Sequence, residues 1–584
     1  MNRINSLISH HYIFALLVIS ICGVLGFFLS LKLALYGDDW LRLFYLKNLF
    51  DASRSGYSYF SIMSYVGPYN SQYPILFLVR AFSGYNPAGY FIASLTFRIL
   101  GSFAFYFAFL KLTKNSTLAL LGSLLLVTTP IGIQVTDWVF YMNTYVGLIP
   151  LSLTLYFLIC LEEKVTIKNQ FFILFFATLF ILVIPVRSYG FVFALMLYTI
   201  GKIVFQTSKK RTFAIAQGVI ILGIYGFVKV IGDIGPTTDV IAASASGLNQ
   251  AYNLLLNHSF SFLIIPFSIL GKQFLPDIFV DKLQQISPSF FQPEVIFFSL
   301  ITVATLLIYF FTKKKLQRIF PIILSVNFLV YLIISVFFMS SDQLMKMYAE
   351  VALVIILDTS IFLWIMNKKK ELFIISLLMI GFSLPYYILP WSFNPNLDME
   401  SSHRYMYFPE IGIITAGIYL TLIIFKSGNK YLRSTIISLF ILAILVNILS
   451  DTIYFRSQLR FRDQERFTRI FTSFKKVVPT LPKDKQTVFY ITDLTGIRND
   501  VYTFGFPFHI GLIYGFPDDR LIPFIILNKE QLVSAATDGK SLKLYTRYLK
   551  KINYNDVIYL KLLPNDTFVN NKSEILKQIH GSYE

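Results

Sequence analysis

The run Tyr12–Leu35 holds a single charged side chain, Lys32, among residues that are otherwise apolar or small. A helix needs roughly 20 such residues to cross the hydrocarbon core of a bilayer. Runs of this kind recur along the chain, and a chain that repeats them satisfies its backbone polar groups in lipid only by forming helices. Reading apolar stretches between charged breaks predicts about thirteen spans. They cover residues 12–35, 88–110, 117–135, 138–160, 171–187, 190–207, 213–231, 294–312, 319–339, 347–366, 372–391, 406–425 and 435–451. The expected fold class is therefore mainly α, a polytopic transmembrane helix bundle over 1–451.

Charge placement orients the bundle. Lys111 and Lys114, Lys164 and Lys168, Lys209-Lys210-Arg211, Lys313-Lys314-Lys315, Lys368-Lys369-Lys370 and Lys426, Lys430 and Arg433 fall in alternate loops. The positive-inside rule assigns these loops and the N-terminus to the cytoplasm. Most of the net charge of +19 sits in short loops between apolar segments, and no nucleic-acid partner is expected. The two cysteines, Cys22 and Cys160, lie in apolar segments and build no disulfide framework or thiolate metal site. The first segment lacks a short apolar region with a small-residue cleavage site and reads as a retained signal-anchor. Usage rich in Phe, Ile, Lys and Asn points to a bacterial plasma membrane.

Three regions are too long for turns: the loops 36–87 and 232–293, and the tail 452–584. In the second, Phe260–Leu270 is too short to span and reads as re-entrant or interfacial. The tail opens with a basic amphipathic helix from Tyr454 to Val478 and continues through β-like runs at 487–491, 521–527 and 556–560. It is expected to form a small extracytoplasmic α/β domain.

Two stretches carry chemistry. Tyr36-Gly37-Asp38-Asp39-Trp40 places two carboxylates where the first span ends and an interfacial helix begins. A helix N-terminus favours the ionised carboxylate that a general base or metal ligand needs. Asp38 as an N-cap with Asp39 as its solvated neighbour is the competing explanation. Asp137, in the tight turn before the fourth span, lies at the same membrane level, as an acceptor or metal ligand or as a turn cap. Arg187, between Pro185 and Gly190, is an anion ligand or a snorkelling anchor. Arg98 and Asp358 lie within spans, as a structural pair or as groups on a transport path. The second stretch opens the twelfth span: Glu400-Ser401-Ser402-His403-Arg404-Tyr405-Met406-Tyr407-Phe408-Pro409. Arg404 presents a planar fork for phosphate oxygens and His403 a second donor. Tyr405 and Tyr407 would lie along a lipid chain, or serve as an interfacial belt.

Together these stretches resemble the GT-C class of membrane glycosyltransferases. The segment Arg404-Tyr405-Met406-Tyr407-Phe408-Pro409-Glu410-Ile411-Gly412 is similar to the Arg-Tyr-Leu-Tyr-Leu-Pro-Ser-x-Gly run of membrane O-mannosyltransferases that carry tetratricopeptide repeats. It departs from that group in having Asp-Asp where several branches have Asp-Glu, and no tetratricopeptide pattern in its tail. The resemblance implies transfer of a sugar from a polyprenyl (or dolichyl) phosphate donor to an extracytoplasmic glycan, lipid or protein acceptor. Asp38 and Asp39 would be catalytic, with one as base in an inverting displacement. Arg404, His403 and Arg187 would hold the donor phosphate. No cofactor is required by these residues, although Asp39 and Asp137 would be placed to share a divalent cation (Mg or Mn). An O-antigen polymerase or ligase using a diphosphate-linked glycan, and a lipid-linked sugar flippase, are the alternatives.

Overall fold

The computed structural model describes residues 2–54, 71–184, 188–205, 208–232, 264–286, 320–337, 342–381, 400–427, 430–495, 505–517, 521–537 and 552–580, with a few positions between 249 and 256. Its described part is mainly helical. Among the described residues, seven helices are long and apolar enough to cross a membrane: 11–32, 87–113, 139–163, 211–228, 343–365, 404–426 and 430–462. Five shorter apolar helices join them, at 73–83, 116–128, 167–183, 189–204 and 321–336. The expected span 294–312 and the second half of 372–391 lie outside the described residues.

The elements that position the site are α1 (Asn2–Phe27), α2 (Asp38–Arg54), α3 (Tyr73–Ser83), α4 (Pro87–Thr113), α5 (Ser116–Thr128) and α6 (Asn143–Glu163). They continue with α7 (Ile265–Phe274), α8 (Asp277–Ile286), α9 (Gln343–Ile365), α10 (Tyr407–Ser427), α11 (Lys430–Arg462) and α12 (Gln464–Val477). Local sequence explains several boundaries. Asn86 caps α4 by accepting from the Ala88 N–H at 3.1 Å, with Pro87 in the first turn. Asn115 caps α5 through Leu118 N–H in the same way.

Basic loops gather at one end of the bundle. Lys111 and Lys114 pair with Glu163 at 2.7 and 3.4 Å, and Lys202 and Lys370 pair with Glu162. His11, near the start of α1, meets Tyr106 Oη at 2.9 Å, one turn from that cluster. The start of α6, and with it the segment around Asp137, lies at the opposite end.

Helix approach inside the bundle rests on small residues. A Cβ at Gly101 of α4 would come within 2.7 Å of Leu148 Cβ on α6, so only glycine admits this contact. Arg98, fully buried on the same helix, donates to the carbonyls of Val127 (3.0 Å) and Thr129 (2.6 Å) and to Tyr145 Oη (2.8 Å). It thereby satisfies carbonyls left without helical partners where α5 ends. Asp358 instead accepts from Asn327 at 3.3 Å. The expectation of an Arg98–Asp358 pair is therefore corrected: each polar group finds a partner near its own helix.

The tail also departs from expectation at its start. No helix begins at Tyr454, because α11 continues to Arg462 and stops only where Asp463 turns extended and caps α12 through Arg466 N–H at 2.9 Å. Asp463 bridges Leu33, and Ala34 N–H donates to Arg462 O at 2.7 Å, which pins the break to the end of the first span.

Beyond α12 the chain forms a four-stranded sheet in the order β2-β1-β3-β4, with β1 (Val488–Asp493), β2 (Phe524–Ile526), β3 (Val557–Leu562) and β4 (Phe568–Asn570). β1 is parallel to β2 and β3, and β4 is antiparallel to β3. The crossovers are α13 (Phe506–Tyr514) and α14 (Lys529–Thr537). Three strands fall on the expected runs; β4 was not anticipated. Strand alternation divides the side chains between two cores. Val488, Tyr490, Phe524 and Tyr559 pack on Leu532 and Ile575. Phe489, Ile491 and Leu560 pack on Phe467, Ile470 and Phe474 of α12, and this second core also takes in Ala34 and Phe44. The sheet is thus fastened to α2, the helix that carries the acid pair.

Candidate functional site

A turn at Gly37 (φ +51°) starts α2 and separates the roles of its two acids. Asp39 is buried and accepts from the backbone N–H groups of Tyr36 (3.2 Å) and Phe140 (3.1 Å). Burial pushes its carboxyl up to about 8, against the lowering effect of those two N–H bonds and of Arg462. Asp38 is only partly buried and, among the described residues, serves no backbone group. Burial raises its pKa, while the nearby guanidiniums of Arg42 and Arg404 lower it. The capping explanation is therefore reversed: Asp39 does the structural work and Asp38 is left to face two cations.

Arg404 is held against aromatic faces, 4.8 Å above Trp138, 5.3 Å above Tyr141 and 5.4 Å above Tyr405. The Trp138 and Tyr141 rings are nearly parallel, at 13°. Such contacts hold a guanidinium without neutralising it. Arg42, one turn along α2 from Asp38, lies 5.6 Å above Phe140. His403 Nδ1 accepts from Tyr405 N–H at 3.4 Å and caps the short turn Arg404–Met406.

The loop before α6 and the segment before α10 are locked together. Gly132 (φ +70°) donates to Ser401 O at 2.7 Å, and Gln134 N–H donates to Ser402 O at 3.1 Å. A Cβ at Gly132 would lie 2.6 Å from Tyr407 Cβ, so close approach and positive φ both demand glycine. Asp277, at the start of α8, accepts from Ser401 N–H at 2.9 Å and from its hydroxyl, with Lys272 at 3.7 Å. Phe260–Leu270 was expected to be re-entrant or interfacial; the helix here is α7, which ends at Phe274 and packs on α9 through Gly271 and Tyr348.

Two expected roles change. Asp137 is buried in an ion pair with Arg462 and accepts from Tyr454 Oη at 3.0 Å. Its carboxylate joins α11 to the loop before α6, and with Asp39 engaged by backbone N–H groups the two do not fit a shared cation. Among the described residues no three His, Cys, Asp or Glu side chains come together as a metal site. Tyr407 has no exposed surface and packs edge-on against Tyr145 at 5.3 Å, so it faces the protein interior rather than lipid. Tyr405 stays partly exposed beside His403. Arg187 lies outside the described residues.

Sequence reasoning missed Arg42 as a site residue, although its position four residues after Asp38 is a helical-face signal. It also missed the cage of Trp138 and Tyr141, and Arg462, whose partner lies on a distant loop. The arrangement brings two guanidiniums within electrostatic range of one partly buried carboxylate. No family model matches the chain, and no curated protein matches it either.

Proposed function

We propose that the chain is a membrane glycosyltransferase of the GT-C type, moving a sugar from a polyprenyl-phosphate donor to an acceptor outside the cytoplasm. The observation that carries this reading is that Arg404, from the second stretch the sequence singles out, and Arg42, one turn beyond the first, both act electrostatically on Asp38. In this reading Asp38 takes the proton of the acceptor hydroxyl as it attacks the anomeric carbon, and the lipid phosphate leaves from the opposite face. Arg404 and Arg42 neutralise the charge that grows on that phosphate. The anomeric centre inverts. The chain crosses a bacterial plasma membrane about thirteen times, with the basic end cytoplasmic and the sheet outside.

The test is mass spectrometry of lipids that copurify with gently solubilised protein. A polyprenyl monophosphate sugar retained by the wild type and lost by Arg404→Ala is the expected result. A diphosphate-linked oligosaccharide would instead favour the polymerase or ligase reading. One observation speaks for that second reading: two guanidiniums beside one carboxylate also suit a diphosphate.

A further inference from the structure

A groove of about 330 Å³ lies between α12, the first turn of α2 and the Tyr85–Pro87 turn. Its size is at the small end of ligand pockets, which run from roughly 300 Å³ upwards. One wall is aromatic, with Trp40 and Tyr85. Trp40 is fixed by its Nε1–H bond to Leu35 O (2.9 Å) and by stacking on His509 at 3.7 Å. Tyr85 is 38% exposed, with the Arg80 guanidinium 5.0 Å from its ring.

The facing wall is a polar row on α12. Gln464, Thr468 and Thr472 recur every fourth residue on one face, followed by Lys475. The Thr468 and Thr472 hydroxyls donate to Gln464 O (2.8 Å) and Thr468 O (2.7 Å). Their protons are thus spent on the helix, and each oxygen keeps an acceptor lone pair for a ligand. A ligand that fits must bring several hydroxyl donors on one side and weakly polarised C–H groups for an aromatic face on the other. Saccharides combine these two properties. A lipid chain would leave the polar row unused, and a phosphate group would find one lysine, Lys475, and no arginine among the lining side chains.

We propose that this groove is a saccharide subsite for the distal part of a glycan acceptor, a proposal that rests on the glycosyltransferase reading. Residues 38 and 40 are about 200° apart around a helix. The groove therefore lies behind the helix turn that presents Asp38, and a glycan chain rather than a single sugar reaches both.

The test uses the full-length protein in detergent on a microarray of short mannose-, glucose-, galactose- and rhamnose-containing oligosaccharides. The wild type is expected to bind at least one series saturably. Tyr85→Ala and the double variant Thr468→Val/Thr472→Val are each expected to lose at least tenfold in affinity for it, while Asp38→Asn binds as the wild type does. No binding by the wild type, or unchanged binding by both groove variants, overturns the proposal. Transfer activity retained by Asp38→Asn overturns the catalytic reading instead, and the array result still decides the groove.

Discussion

Asp39 accepts a hydrogen bond from the Phe140 backbone N–H at 3.1 Å, and this one contact divides two adjacent, chemically identical acids. It ties the first turn of α2 to the loop before α6 and leaves Asp38 as the acid beside Arg42 and Arg404.

Asp38→Asn is expected to lower transfer by roughly a hundred- to ten-thousandfold, the usual contribution of a general base, while the protein keeps its melting temperature. Asp39→Asn acts the other way. It turns a buried acceptor partly into a donor facing an N–H group, at a cost of about 1–3 kcal/mol, so its melting temperature falls. Paired assays of turnover and thermal unfolding in detergent separate the two.

Arg404 lowers the pKa of Asp38, so its removal raises it. An ionised base makes activity rise with pH through that pKa. Arg404→Gln should therefore move the acid limb of the kcat/KM profile to higher pH, besides weakening donor binding. An acid limb that stays in place would mean that Asp38 does not set it.

The buried pair of Asp137 and Arg462 joins α11 to the segment before α6. Arg462→Met leaves the carboxylate uncompensated and is expected to cost about 3–5 kcal/mol. Adding Asp137→Asn should restore part of the loss. The partly exposed Arg466, which pairs with Asp566, should cost at most about 1 kcal/mol when changed to Ala. Thermal unfolding of the three variants checks the ranking.

His509 stacks on Trp40 and lies edge-on to Phe471, and burial lowers its pKa from 6.5 to about 3. The unfolded chain binds this proton more readily, so its stabilising effect is complete above pH 6.5 and is lost as pH falls toward 3. The slope across that window is about 1.4 kcal/mol per pH unit. His509→Phe should flatten that part of the stability profile, and unchanged acid sensitivity would mean that other groups cause it.

Reading the chain by hydropathy located most of the helices, because a membrane segment must satisfy its own backbone and so declares itself in a continuous run. Strands β1 to β3 were legible for a related reason, since buried strands are short apolar runs between turns. β4 is only Phe568–Asn570, and its edge position needs no apolar pattern. The end of α11 was misplaced because Asp451 reads as the close of a span, whereas it is buried inside a helix that runs on to Arg462.

The sequence by itself determined that this is a mainly helical chain with membrane-length apolar helices, and it marked Asp38-Asp39 and His403-Arg404 as its polar exceptions. Both conclusions follow from local cost, since charge beside long apolar runs is expensive wherever the chain folds. Only the tertiary structure decided which acid is structural, that Asp137 belongs to Arg462, and that Tyr407 points inward. Those outcomes depend on partners brought together from distant loops, such as the Phe140 N–H and the Arg462 guanidinium, and no spacing along the chain encodes them.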